Sequence, residues 1–157
     1  MTRTFSRPMT LTTTLTSKLT ASFVAAFVAT TIALVYVLRA PHIIIQDTAI
    51  ADEYYYKNAG TTLSGDLIAG VLLLLAAQYV IYATNITGTL ARIGIVVIVT
   101  ALATAVRQVS SISSIVNPNP NAKTWYASVD IRHSVAYDVI FMTTLYIVLT
   151  TIYSQFI

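Results

Sequence analysis

At 157 residues the chain has room for one domain. Its 56% hydrophobic and 10% charged side chains lie far from soluble proteins, in which about a quarter of residues are charged. Nine basic and six acidic side chains are too few to solvate a soluble fold of this size, which excludes an ordinary soluble protein and points to a lipid bilayer. The net charge of +3 comes from basic residues scattered singly, the wrong pattern for nucleic acid and a suitable one for anionic headgroups, and the absence of cysteine excludes disulfides, thiolate-held clusters and a thiol nucleophile.

Residues 1–18 form a polar, threonine-rich arm with Arg3, Arg7 and Lys18 and no acid. The arm resembles a targeting segment, but the apolar run that follows, 19–38, exceeds the roughly 7 to 15 residues of a signal-peptide core and predicts a retained first span. Phe5, Met9, Leu11 and Leu15 are the expected contacts of the arm with a membrane surface or with neighbouring proteins. Within the span Ala21, Ala25, Ala29 and Ala33 recur every four residues. This predicts a helix-packing face, because small side chains allow the close backbone approach on which association in lipid depends; the plainer alternative is that alanine is common in apolar helices.

Arg39 and Pro41 end that helix, and the loop to Asp66 is expected to begin extended through PHIIIQ and then form a short helix from Asp47, its N-cap, to Asn58. Tyr54, Tyr55 and Tyr56 are expected as interfacial anchors, rings buried at the headgroup boundary and hydroxyls wet. The second span, 64–83, is the clearest: seventeen uncharged residues follow Asp66, with Ser64 as expected cap, Asp66 against the helix dipole and Gln78 as an interhelical hydrogen-bonding group.

After a tight turn at 84–88, whose Asn85-Ile86-Thr87 sequon lies too close to the bilayer for a glycan, the third span is placed at 89–107. Its length requires Arg92 to snorkel, and Gly94, Ala101 and Ala105 are further expected packing sites. Val109, Ile112, Ile115 and Val116 extend an apolar stripe beyond Arg107 until Pro118 and Pro120 break the helix. Trp125 and Tyr126 are expected as a second pair of interfacial anchors before the last span, 134–156, which carries Asp138 about one turn inside.

The predicted architecture is therefore an all-α integral membrane protein: a basic arm at 1–18, then a four-helix transmembrane domain over 19–157 whose two long loops share one side and carry short interfacial helices. Both termini fall on the other side, and the denser basic flank of the first span places them inside. Arg39 and Asp66 in the first half echo Arg107 and Asp138 in the second, which fits either a duplication or the tendency of helix ends to collect charge.

Asp138 is the intramembrane ionisable residue expected to matter, because burying it is costly unless it is paired. Arg107 is its expected partner, in an ion pair that sets helix register; a proton or ion relay needs polar groups along a path, and none is visible. His42 and His133 lack metal-ligand spacing, and no phosphate-binding loop, dinucleotide motif or paired catalytic carboxylate occurs, so neither cofactor, metal nor catalytic residue is expected. The leading functional expectation is a non-catalytic structural or accessory subunit of a larger membrane-embedded assembly, with lipid and other subunits as partners. A small oligomeric transporter or channel using Asp138 and Gln78 is the second, and a membrane enzyme with a His42/His133 metal site the third.

Overall fold

The computed structural model describes residues 9–45, 47–112, 125 and 127–154, with side chains over 17–45, 47–110, 125 and 127–153. Among them there is no strand. The elements are α1 (Met9–Thr31), running into a wider π turn at Ile32–Val37, α2 (Ala40–Ile45), α3 (Thr48–Asp52) with a second π turn at Glu53–Lys57, α4 (Ala59–Ala83), α5 (Thr89–Ile112) and α6 (Ile131–Ser154). Four helices are long and apolar enough to cross a membrane, over Ser17–Val37, Ala59–Ala83, Thr89–Ser110 and Ile131–Tyr153. The chain is an all-α multi-pass membrane protein.

Each boundary has a local cause. The Leu38 N–H reaches back to the Ala33 carbonyl at 2.9 Å, and Arg39 then takes a left-handed φ of 48° that turns the chain. Pro41 sits in the first turn of α2, where a missing N–H costs nothing. That helix replaces the extended PHIIIQ segment expected from its β-branched side chains: burial of Ala40, Pro41 and Ile45 outweighs local preference. Asp47 caps α3 as expected, its Oδ1 accepting from the N–H groups of Ala49 and Ile50 at 3.1 and 3.2 Å.

Helix α4 begins at Ala59, five residues before its expected cap. Ser64 instead donates back to the Thr61 carbonyl, and Asp66 lies in the second turn, too deep to complement the dipole at the helix start. At its other end Asn85 adopts φ 53°, its N–H bonding Tyr82 and that of Ile86 bonding Ile81, which closes the helix with a Schellman motif. The Arg92 Nε donates to the Ile86 carbonyl at 3.2 Å, tying the side chain to the turn. Asp130 sets the start of α6 by accepting from the Arg132 N–H at 2.8 Å. The polar arm is not wholly non-helical either, since α1 runs back to Met9; the side chains of Phe5, Met9, Leu11 and Leu15, together with Pro118, Pro120 and Tyr126, lie outside the described residues.

In the bundle α6 packs against both α1 and α5, and α5 packs against α4. The order around the bundle is α1, α6, α5, α4. Helix α1 approaches α4 through Phe23, near Gly70, where an added Cβ would lie 3.8 Å from the Phe23 Cζ and 3.6 Å from the Leu145 Cδ2. Gly94 has open space where its Cβ would be, so the expected packing role falls to Gly70 instead.

The face of α1 that packs within this chain is not its alanine row. Ala21, Ala25, Ala29 and Ala33 are exposed, whereas Ser22, Ala26, Phe27, Thr30, Leu34 and Val35 turn inward. Within this chain the larger side chains win because they fill the space between α1 and α6. Phe23, Phe27, Phe141, Tyr137, Tyr55 and Trp125 form a chain of ring contacts, with successive centroids 5.4–6.3 Å apart, running through the bundle.

Candidate functional site

The top of that aromatic chain is built by α2, α3 and the π turns, which fold over the bundle as a cap. Tyr54 lies tilted over Trp125 at 4.5 Å and meets Tyr55 edge to face at 4.9 Å, so the two long connections meet at one end of the bundle. Tyr54, Tyr55 and Trp125 are only 5, 3 and 3% exposed. This corrects their expected place at the headgroup boundary: they are core residues, and Tyr56 alone of the tyrosine triplet is partly exposed. The π turn makes the burial possible by widening the helix so that Tyr54 and Tyr55 both reach inward.

Beneath the cap lies the charged cluster. Asp66 on α4 accepts a hydrogen bond at its Oδ1 from the Tyr54 hydroxyl at 3.2 Å, and Asp138 on α6 accepts at its Oδ2 from Thr104 on α5 at 2.8 Å. Arg107, one turn beyond Thr104, is within electrostatic reach of both carboxylates, which are also within reach of each other. All three side chains are partly buried. The expected partner of Asp138, Arg107, is thus an electrostatic neighbour that Asp66 shares. Asp66 joins them because the cap holds Tyr54 over the second turn of α4. The half-to-half echo does not extend to Arg39, which is exposed at its turn.

Thr104 and Gln108 were not singled out from sequence, although a signal exists. Val96, Thr100, Thr104 and Gln108 recur every four residues and form the buried face of α5. Gln108 donates from Nε2 to the Val129 carbonyl at 2.7 Å, fixing the segment before α6. Outside the spans, burial pushes the Tyr55 hydroxyl well above its ordinary pKa, with Tyr137 and Asp66 adding to the effect, so Tyr55 is neutral at physiological pH.

Other expected groups are elsewhere. Gln78 is exposed on α4, twelve residues along from Asp66 and so about 18 Å away, and it makes no interhelical bond among the described residues. The exposed flank of α4 places it away from the other helices. His42 contacts Asp52 through Nε2 at 2.9 Å and the Tyr56 ring at 5.6 Å, while His133 lines a shallow depression with Asp47 and Asp130. Among the described residues no three His, Asp or Glu side chains gather as a metal site would require.

Compared with known proteins, the chain matches no family model, and neither a curated protein nor a solved structure matches it significantly.

Proposed function

We propose that the chain is a non-catalytic structural or accessory subunit of a larger membrane-embedded assembly, of an organellar membrane or of a membrane-containing virion. The observation that carries this reading is the outward position of Ala21, Ala25, Ala29 and Ala33. A row of methyl-sized side chains on a lipid-facing surface gains nothing from lipid, but allows another helix to approach α1 closely. The interior supports the same reading: Phe27, Val35, Val96, Phe141 and Leu145 fill the bundle, and Asp138 and Gln78 do not line one path, which weakens a transport role. Other subunits are then the partners, with both termini on the inner side of the membrane.

The test is isolation of the tagged chain from native membranes in mild detergent, beside an Ala25→Leu/Ala29→Leu variant. Wild type is expected to bring down stoichiometric membrane partners and the variant to lose them while keeping its helical circular dichroism. A stable, partner-free monomer in both preparations rejects the reading. Ion flux in liposomes that Asp138→Asn abolishes would favour the transporter instead.

A further inference from the structure

Gln78 carries a carboxamide inside a candidate span and turns it toward lipid. It lies within the span Ala59–Ala83 and is exposed, and its neighbours one turn away on either side, Leu75 and Tyr82, are 62 and 83% exposed. Hydrocarbon offers neither donor nor acceptor, so an amide there leaves its hydrogen-bonding groups empty, which is unfavourable. The side chain also leans the wrong way to escape to the headgroups. Gln78 is five residues, about 8 Å, from the nearer end of α4, and side chains on a helix tilt toward its N-terminus, which for Gln78 is toward the bilayer interior.

The residues around it are spaced for a partner helix. Ile68, Val71, Leu75, Gln78 and Tyr82 alternate steps of three and four residues, the seven-residue repeat of helices that cross at a shallow angle and wrap each other, with Gln78 at a seam position. Ile68 is 60% exposed and Val71 half-buried, so the seam is open among the described residues. An apolar seam alone would suit lipid equally well; the amide in it does not. Copies of one chain enter a membrane in the same orientation, so two α4 helices side by side run parallel and each residue meets its counterpart at the same depth. Glutamine is its own complement there: the carbonyl of one carboxamide accepts from the amino group of the other, and a two-fold axis along the membrane normal satisfies both copies at once.

We propose that the exposed face of α4 is a self-association surface, on which two copies of the chain pair through Ile68, Val71, Leu75 and Tyr82 with the two Gln78 carboxamides hydrogen-bonded to each other. The apolar residues supply close packing, and the amide pair fixes the register, since sliding one helix along the other returns both amides to hydrocarbon. The surface lies on a different helix from the alanine row of α1. The proposal therefore goes beyond the subunit role above and does not depend on it.

The chain has no cysteine, so single-cysteine variants of the full chain report the seam directly. In membranes of expressing cells, Ile68→Cys and Leu75→Cys are expected to form disulfide-linked dimers on mild oxidation, whereas Leu102→Cys, 63% exposed on α5, is not. Energy transfer between labelled copies in liposomes, followed over a range of protein-to-lipid ratios, is expected to fit a monomer–dimer equilibrium that Gln78→Leu weakens about 3- to 30-fold. Leucine suits a lipid-facing position, so this variant is expected to keep its fold, which helical circular dichroism checks. Ala25→Leu/Ala29→Leu is expected to dimerise as wild type does, which separates this surface from the one on α1. A wild type that is monomeric at every ratio, cross-linking of Leu102→Cys as efficient as that of Leu75→Cys, or a dimer that Gln78→Leu leaves intact overturns the proposal.

Discussion

Tyr56 donates its hydroxyl proton to the carbonyl of Val35 at 2.9 Å, while its neighbour in the same π turn, Tyr55, offers its own carbonyl to the Tyr36 hydroxyl at 3.4 Å. The two π turns are therefore bonded to each other in both directions, and the rings of Tyr36 and Tyr56 meet edge to face at 5.5 Å. Val35 is fully buried, so loss of the Tyr56 hydroxyl strips a partner from a carbonyl that water does not reach. Tyr56→Phe is expected to cost about 1–3 kcal/mol in a reversible unfolding titration. Tyr36→Phe, acting on a longer and more exposed bond, should cost less.

Trp125 is the single tryptophan, and its burial between Tyr54 and Tyr55 makes it a direct reporter of the cap. Its fluorescence is expected to resist water-soluble quenchers in detergent and in nanodiscs alike. Truncating an aromatic partner, as in Tyr54→Ala, should cost about 3–5 kcal/mol and make the emission quenchable. Ready quenching in the wild type would return Trp125 to the headgroup boundary.

Gly70 in α4 and Gly94 in α5 should respond in opposite ways. Gly94→Leu enters open space and removes a weak helix former, so it is expected to be neutral or to stabilise by up to about 1 kcal/mol. Gly70→Leu drives three carbons beyond Cβ toward Leu145, Phe23 and Met142 and should cost about 1–3 kcal/mol. Thermal melts of the two variants against wild type check the contrast.

Tyr55 supplies a prediction at alkaline pH. Its folded-state pKa lies above the ordinary tyrosine value, so the folded chain holds a proton that the unfolded chain releases near pH 10. Stability from this group is fully present below that pH and is lost as pH rises toward the folded value. Tyrosinate absorbance should therefore show a late step that coincides with unfolding, and Tyr55→Phe should shrink that step by one tyrosine while leaving the main titration intact.

The spans were legible because run length is a direct consequence of bilayer thickness, and the Asp47 cap because a side-chain oxygen before a helix has a local job. Arg107 and Asp138 were legible as charges where charge is expensive. The inward face of α1 was not, since lipid and protein interior are equally apolar and no periodic contrast tells Ala25 from Ala26. Tyr54, Tyr55 and Trp125 misled for a related reason: an aromatic cluster between spans has the same composition whether it lines a headgroup boundary or fills a cap. With Ser64 as the cap Asp66 falls in the first turn as a dipole partner, and only the start of α4 at Ala59 moves it deeper into the helix.

The order of the helices around the bundle bears on how the chain is made. Of the four spanning helices α1 is made before the others and has α6, made after them, as its main neighbour, so α1 waits in the bilayer, without its chief contact, until α6 is inserted. Its serine, threonines and phenylalanines stay accessible to other membrane proteins for that whole interval. Synthesis halted between α5 and α6 would leave α4 and α5 able to pair and α1 with only its lesser contact through Phe23, which makes insertion of α6 the step that closes the four-helix bundle.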